Sequence, residues 1–200
     1  MNRRIYVISG PSGVGKTSII KTLRQKIERL GYSISHTSRK PRDQEKNGKD
    51  YHFVDRGTFE KMAGEGAFVE WAEVYGDLYG TSFKGLQSQL DQGDDVILDI
   101  DNQGAGNIKA HFKEIVLIYV LPPSLEELER RLKHRATDHE DAIRKRIDKA
   151  EKEIQDCHWY DYLVINDALE NAMKEVESII IAERCRKSQR LPMIKHIFGL

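Results

Sequence analysis

The sequence has only two cysteines and no long hydrophobic run. Cys157 and Cys185 lie far apart and form no C-x-x-C pair, so neither a disulfide framework nor a zinc site is expected. No apolar stretch approaches membrane-spanning length, and the run after Arg3 and Arg4 is too short for the core of a signal peptide. These absences predict a cytoplasmic protein without a membrane partner.

Charge of one sign is not in excess. The 32 Lys and Arg residues balance 32 Asp and Glu residues, so the net charge is zero. Such a chain has no overall electrostatic attraction to nucleic acid, and no nucleic-acid partner is expected. With 39% hydrophobic residues in a chain of 200, the composition predicts one globular unit with a sizeable core.

Apolar runs of strand length alternate with segments of helical spacing. Strands are predicted at 5–8, 95–101, 115–121 and 162–166. Helices are predicted from the glycine-rich loop to Leu30, with Gly31 at the end, and over 124–135, 140–155 and 169–186. Pro192 is expected to stop a helix before the C-terminal segment. The alternation favours an α/β fold with a mostly parallel sheet.

Residues 33–82 break this alternation. They contain short alternating pieces, a basic segment punctuated by proline and glycine, and one brief helical signal at 58–62. The pattern predicts an insertion built mainly of β structure. Insertions on a parallel α/β core often distinguish one substrate from another.

A glycine-rich loop lies between the first strand and the first helix. Gly10 to Thr17 fits the pattern G-x-x-x-x-G-K-[ST], in which backbone N–H groups converge on phosphates. Lys16 would reach the β and γ oxygens, and Thr17 can ligate Mg²⁺. A tight turn that merely matches the pattern is the alternative, but pattern and context agree on a nucleotide loop.

Two acids end the predicted strand 95–101. Asp99 and Asp101 would point to the same face at the carboxyl end of the strand, where ligands bind in α/β sheets. Either could hold a water bound to Mg²⁺, and the other would be free for substrate. The alternative is a pair of acids that cap the following turn.

The insertion offers a second anion site. Arg39 and Arg42 flank a stiff proline, and Tyr51 and Tyr79 lie in the same region. Guanidinium forks and phenol hydroxyls make a directional cradle for a phosphate monoester. A solvated basic loop is the alternative. An acceptor phosphate beside a donor loop is typical of a kinase.

Seven segments, in order, resemble the guanylate kinase family, which transfers a phosphoryl group from ATP to GMP and so feeds purine nucleotide recycling and GTP supply. They are SGPSGVGKT (9–17), SHTSRKPR (35–42), GKDYHFV (48–54), FVEWAEVYGDLYGTS (68–82), ILDIDNQG (97–104), LERRLKHR (128–135) and YLVIND (162–167). The second, fourth and fifth segments are quite specific, whereas the glycine loop is shared by a very large class.

The resemblance implies a three-layer P-loop kinase core with a β-rich insertion that binds the nucleoside monophosphate and a helical lid. The expected domain spans 4–186. Its core would be 4–32, 84–125 and 156–186, its insertion 33–83 and its lid 126–155. The tail 187–200 could dock on its own core or against a second subunit, so a homo-oligomer is left open.

The resemblance also implies roles for individual residues. ATP would be bound by Gly10, Pro11, Ser12, Gly13, Val14, Gly15, Lys16, Thr17, Ser18 and Asn166. GMP would be bound by Ser35, Glu70, Thr81 and Asp101 at the guanine and by Arg39, Arg42, Tyr51 and Tyr79 at the phosphate. Lys16, Arg39 and the lid residues Arg131, Arg135 and Arg146 would be catalytic. Thr17 and, through a water, Asp99 would hold the cofactor Mg²⁺.

Glu70 is the residue that physical chemistry connects with guanine. A carboxylate can accept hydrogen bonds from both N1–H and the 2-amino group, and adenine offers neither donor there. A buried carboxylate facing adenine would stay unpaired, which can reject that base by roughly 10⁴-fold. The alternative, a strand residue that points to solvent, is not excluded by the spacing of Glu70 and Glu73.

The sequence departs from the family pattern at three places. His134 and Ala136 stand where glycines usually flank the lid residue Arg135, and Gln44 stands where a glycine is common. Two other functions remain as alternatives. One is a non-catalytic interaction module of guanylate-kinase fold, and the other is a P-loop kinase for another small phosphorylated acceptor. The chain keeps Lys16 and the lid arginines, which a non-catalytic module would be expected to lose.

Overall fold

A computed structural model of the chain describes residues 3–42, 45–112, 114–134 and 140–199. The strands are β1 Ile5–Ser9, β2 Leu30–Tyr32, β3 His36–Thr37, β4 His52–Phe53, β5 Phe68–Val74, β6 Asp77–Ser82, β7 Asp95–Asp99, β8 Ile115–Leu121 and β9 Tyr162–Ile165. The helices are α1 Lys16–Lys26, α2 Arg56–Gly64, α3 Phe83–Asp91, α4 Asn102–His111, α5 Leu125–His134, α6 Glu140–Gln155, α7 Leu169–Arg184 and α8 Lys187–Phe198. A short 3₁₀ helix at Asp156–Trp159 follows α6.

The larger sheet is parallel, in the order β2-β7-β1-β8-β9. Side chains of the central strand β1 alternate between its two faces. Tyr6 and Ile8 pack with apolar residues of α1 and α7, whereas Ile5 and Val7 pack with residues of α3 and α4. Because both faces are covered, the strands can be apolar throughout. The expected three-layer α/β core is confirmed.

The smaller sheet is formed within residues 36–82, in the order β4-β3-β6-β5, and β5 and β6 make an antiparallel hairpin. Helix α2 covers it through Phe59, which stacks on Phe68. Asp55 caps this helix, because its side chain accepts a hydrogen bond from the Thr58 N–H at 2.9 Å. The helix is longer at both ends than the predicted segment 58–62. The boundaries of core, insertion, lid and tail stay predictions.

The predicted extension of the first helix to Leu30 is wrong. Helix α1 ends at Lys26, Ile27 has extended backbone, and Leu30 pairs with Asp95 in the larger sheet. Leu30 is buried in this strand. Its position also fits the helical spacing of apolar residues, so the sequence pattern did not distinguish helix from strand there. Gly31 does not end the helix but pairs with Val96 in the strand, where a Cβ would lie 2.5 Å from the end of the Gln89 side chain.

Pro192 does not stop a helix, contrary to the prediction. Helix α8 begins at Lys187, and Pro192 lies in its second turn. Proline lacks one backbone donor there, and the rest of the helix continues around it. Ile197 and Phe198, near its end, are exposed. Whether this tail meets a second subunit stays a prediction.

The remaining ends differ little from prediction. The strand 95–101 ends at Asp99 and the helix 169–186 ends at Arg184, while 115–121 and 140–155 have the predicted bounds. Among the described residues, no helix has the length and apolarity needed to span a bilayer.

Candidate active site

A cavity of ≈ 520 Å³ opens at the carboxyl ends of β1 and β7, between α1, the smaller sheet and α6. Small-molecule sites occupy about 300–1,000 Å³, so its size suits nucleotide ligands. Most of the predicted site residues line it: Gly10, Pro11, Ser12, Gly13, Gly15, Lys16, Thr17, Ser35, Arg39, Arg42, Tyr51, Glu70, Tyr79, Asp99, Asp101 and Arg146. The residues predicted to bind the phosphoryl donor and those predicted to bind the acceptor therefore share one cavity.

The glycine-rich loop takes a backbone conformation that other residues rarely adopt. Gly10 has φ +141°, and a Cβ there would collide with the Val120 carbonyl oxygen. Gly15 has φ +105°, and a Cβ there would lie 2.5 Å from the Asn166 amide nitrogen. The glycines thus let the loop turn sharply against the end of the sheet.

Lys16 begins helix α1 immediately after this turn. Its ammonium donates a hydrogen bond to the Gly10 carbonyl at 2.6 Å, across the mouth of the loop. The unpaired N–H groups and the dipole of the helix N-terminus add positive potential at the same place. Loop, helix and ammonium together form an anion site.

Three residues predicted to contact ATP do not line the cavity. The Val14 side chain is buried in the core, and Ser18 is exposed on α1. Asn166 is buried under the loop, where its amide donates to the Val14 carbonyl at 2.7 Å. In this structure Asn166 therefore supports the loop from below, and its contact with adenine stays a prediction.

The sequence predicted that the two acids beside the loop, Asp99 and Asp101, lie on one strand, and that prediction is wrong. Strand β7 ends at Asp99, which pairs with Ile8 of β1, and Asp101 is the N-cap of α4. The Asp101 carboxylate accepts the Gly104 N–H at 2.9 Å. Alternation along a strand therefore does not relate the two acids, although both reach the cavity.

Asp99 fits a metal-linked role. Burial raises the pKa of its carboxyl, and the nearby Lys16 ammonium opposes that rise. A divalent cation would compensate a carboxylate that is desolvated in this way. Among the described residues no group of three or more His, Cys, Asp or Glu could hold a metal. Mg²⁺ bound with nucleotide needs only one or two protein oxygens, and Thr17 and Asp99 both line the cavity. Their role as metal ligands stays a prediction.

Glu70 is a buried carboxylate in the cavity wall. It lies on β5 at an irregularity of the pairing with β6, and it is only 5% exposed. One of its oxygens accepts the Thr81 N–H at 3.0 Å. Burial raises the pKa of Glu70 to about 7, against the opposing hydrogen bond from Thr81. The alternative of a solvent-facing strand residue applies to Glu73 instead, which is exposed and pairs with Arg56.

Gly104 is a site residue that the sequence did not indicate. It lies in the first turn of α4 without an unusual φ, and a Cβ there would come within 2.5 Å of the second Glu70 oxygen. The absence of a side chain at Gly104 therefore makes room for the Glu70 carboxylate. Ser35 is buried nearby in the cavity wall, and Thr81 is buried behind it.

The predicted phosphate cradle centres on Arg39. Its Nε donates to the Tyr79 hydroxyl at 3.2 Å, and its guanidinium lies 5.5 Å from the centre of the Tyr51 ring. Tyr51 and Tyr79 also meet edge to face. Arg42 lines the same part of the cavity. The four predicted phosphate ligands are therefore together.

Glu45 completes this cradle and was missed. Its two carboxylate oxygens accept from both terminal nitrogens of Arg39 at 2.9 Å, and one also accepts the Arg42 N–H at 2.8 Å. Although burial raises the pKa of Glu45, the bonds from Arg39 and from the Arg42 backbone outweigh it and hold the pKa below its usual range. The one available signal was an acid six residues after Arg39 in a basic segment.

The lid arginines lie in different surroundings. Arg146 of α6 lines the cavity and faces the Tyr75 ring. Arg131 of α5 donates to Glu127 at 2.8 Å and to the Asn166 carbonyl at 2.9 Å, away from the cavity lining. Arg135, Ala136 and Gln44 lie outside the described residues, so their predicted effects on lid and loop stay predictions.

The family model described as guanylate kinase matches residues 2–183. Guanylate kinase of Geobacter metallireducens is 44% identical over 196 residues, which covers 98% of this chain and 97% of that protein. Guanylate kinase of Syntrophotalea carbinolica is 48% identical over 188 residues, covering 94% and 90%. The crystal structure of guanylate kinase from Anaplasma phagocytophilum matches with a TM-score of 0.79 at 33% identity, covering 96% and 93%.

Proposed function

The chain belongs to the guanylate kinase family, and from that premise we propose how its residues carry out the reaction. It catalyses the ATP-dependent phosphorylation of GMP to GDP. The other two functions considered from the sequence are not favoured. The observation that supports our assignment of residues is the buried carboxylate of Glu70 in the cavity that the phosphate-binding loop also lines. We expect dGMP to be accepted as well, because none of the proposed contacts is to the ribose.

ATP binds with its phosphates on the loop Gly10–Thr17. Backbone N–H groups of the loop surround the phosphates, and Lys16 exchanges its bond to Gly10 for one to the phosphate oxygens. Thr17 and, through a water, Asp99 would hold Mg²⁺. Bound there, Mg²⁺ would neutralise charge on the β and γ phosphates.

GMP binds against the smaller sheet. Glu70, as a carboxylate, accepts hydrogen bonds from guanine N1–H and the 2-amino group, and Asp101 adds a second acceptor. The Ser35 hydroxyl, in the cavity wall, donates to O6, which adenine lacks. Thr81 holds Glu70 through its backbone N–H, and a bond from its hydroxyl to O6 stays a prediction. Specificity results because adenine would leave the buried carboxylate unpaired.

The phosphate of GMP lies on Arg39, Arg42, Tyr51 and Tyr79. One of its oxygens attacks the γ-phosphorus of ATP, the bond from that phosphorus to the β–γ bridging oxygen breaks, and GDP and ADP result. The attacking oxygen is already ionised, so no general base is required. Lys16 and Arg146 stabilise the charge of the transferring group, and we expect Arg131 and Arg135 to join them and to exclude water when the lid closes over the triphosphate.

An acceptor panel tests the proposal. ADP release is measured with GMP, dGMP, AMP, CMP, UMP and ribose 5-phosphate, in wild type and in Glu70→Gln. We expect wild type to prefer GMP, and Glu70→Gln to lose about 10² in kcat/KM for GMP because two charge-assisted hydrogen bonds weaken.

Glu73→Gln is the matched control, since Glu73 lies on the same strand but faces solvent. It should leave the kinetics with GMP unchanged. An unaltered ratio of GMP to AMP activity in Glu70→Gln would refute the base-recognition step. Cytoplasmic location, the absence of nucleic-acid partners and the oligomeric state stay predictions.

A further inference from the structure

The β5–β6 hairpin turns at a residue whose backbone conformation is unfavourable. Val74 pairs with Asp77, so the turn consists of Tyr75 at φ +54° and Gly76 at φ +86°. Two-residue turns with both φ values positive favour Asn-Gly, Asp-Gly or Gly-Gly. A tyrosine at the first position costs conformational free energy, and such strain persists where the side chain has a use.

The Tyr75 ring contacts two cations of the lid helix α6. The Arg146 guanidinium lies 5.5 Å and the Lys149 ammonium 4.7 Å from the ring centre. The two cations are three residues apart and so share one helix face. Lys149 also forms an ion pair with Glu153 at 3.3 Å. All four side chains line the cavity, so the contact is made at the site.

The hairpin that carries this ring also carries the acceptor site. Glu70 lies five residues before Tyr75 on β5, and Tyr79 lies four residues after it on β6. A shift of the hairpin toward bound GMP would therefore move the ring, and with it the cation that the ring attracts. Other contacts of Arg146 would act in addition to this one.

We propose that Tyr75 is a positioning residue that holds Arg146 over the cavity and connects the acceptor hairpin to the lid. The inference rests on the proposed function, because it takes Arg146 to stabilise the transferring phosphoryl group. The proposal accounts for the unfavourable turn residue, since Asn or Gly, which the turn prefers, would offer no ring to the two cations.

The test replaces Tyr75 by the residue that the turn prefers. Tyr75→Asn should leave the thermal unfolding midpoint of the ligand-free protein unchanged or raise it, while kcat falls about tenfold and KM for GMP stays within about twofold. Tyr75→Phe keeps the ring and should retain the wild-type kcat. A role in folding alone would give the opposite pattern, with lower stability wherever kcat falls.

Arg29→Asn is the matched control. Within the described residues Arg29 is the other non-glycine residue with positive φ, at +57°, and it lies outside the cavity lining. Its replacement relieves the same kind of backbone strain and should not change kcat. A drop in kcat for this control equal to that of Tyr75→Asn would overturn the inference.

A double-mutant cycle with Arg146→Ala distinguishes failure of this inference from failure of the proposed function. Tyr75→Asn should have no further effect on kcat in the Arg146→Ala background, because the ring acts through that guanidinium. A wild-type kcat in Tyr75→Asn, a loss in Tyr75→Phe equal to that in Tyr75→Asn, or additive losses in the cycle would overturn this inference and leave the proposed function intact. A wild-type kcat in Arg146→Ala would instead remove the lid step from the proposed function, and this inference with it.

Discussion

The donor loop, residues 9–18, and the acceptor insertion, residues 33–83, line one cavity but are built differently. The loop is one contiguous segment that offers mainly backbone N–H groups and a single ammonium, on Lys16. The insertion offers side chains from separate strands and loops, and several of them are held by groups on other elements, as Glu70 is by the Thr81 N–H. Arg39 is held by Glu45 and Tyr79, for example.

The difference shows which part of the site selects the base. Backbone N–H groups recognise phosphate of any nucleotide, so the loop contributes affinity and charge stabilisation but little choice of base. The insertion contains ionised and buried groups, and a ligand that lacks the matching donors leaves them without hydrogen bonds. A wrong base leaves Glu70 unpaired, and the energetic penalty then becomes selectivity.

The largest expected effect separates the two halves. Lys16→Ala should lower kcat by about 10²–10³, the usual cost of removing one donor aimed at developing charge. Binding of GMP alone, measured by calorimetry, should stay at the wild-type value because Lys16 contacts the loop and not the acceptor cradle. Wild-type turnover in this variant would remove the loop from the mechanism.

The same difference explains what the sequence could predict. In the loop, spacing predicts geometry, because the pattern puts glycine at positions 10 and 15, and both have positive φ here. Most loop residues therefore line the cavity as expected. Pattern alone did not show that Val14 points into the core, since a motif does not distinguish the two sides of its own turn.

In the insertion, residue types predicted a phosphate cradle, but partners between distant elements leave no local signal. Gly104 matters because of Glu70, which lies on another element. Glu45 has no periodicity that would mark it as the partner of Arg39. The errors at Leu30 and Pro192 have the same origin, since the surrounding structure outweighed local propensity. Leu30 pairs with another strand, and the rest of helix α8 forms despite Pro192.

Glu45→Gln tests whether the phosphate-binding side chain of Arg39 is positioned by another side chain of the insertion. We expect KM for GMP to rise by about tenfold, since a charge-assisted hydrogen-bond pair that orients Arg39 is weakened. The kcat for bound GMP should change less. Steady-state kinetics with GMP as the varied substrate measures both.

Glu60→Gln is the control for that variant, because Glu60 pairs with Arg56 in the same insertion but at an exposed position. It should leave KM for GMP unaltered, as exposed pairs contribute little. A lower KM for GMP in Glu45→Gln would show that Glu45 competes with the phosphate for Arg39, contrary to our expectation.

The smallest effect concerns the protonation of Glu70. Its pKa of about 7 lies above the ordinary value of 4.5, so its contribution to the stability of the ligand-free protein is complete below pH 4.5 and is lost as the pH rises through 7. Guanine requires the carboxylate form, so binding of GMP has the opposite pH dependence. Between pH 8 and pH 6, KM for GMP should rise several-fold, up to about tenfold, because at pH 6 only ~10% of the free enzyme has an ionised Glu70.

The number of protons released when GMP binds distinguishes the titration of Glu70 from that of the GMP phosphate, whose second pKa is near 6. At pH 6.5, calorimetry in two buffers of different ionisation enthalpy should show wild type releasing more protons on binding GMP than Glu70→Gln does. The loop has no counterpart to this behaviour, since its backbone donors do not titrate. Equal proton release by the two proteins would mean that Glu70 is already ionised in the empty cavity, and the insertion would then recognise guanine without a change of protonation.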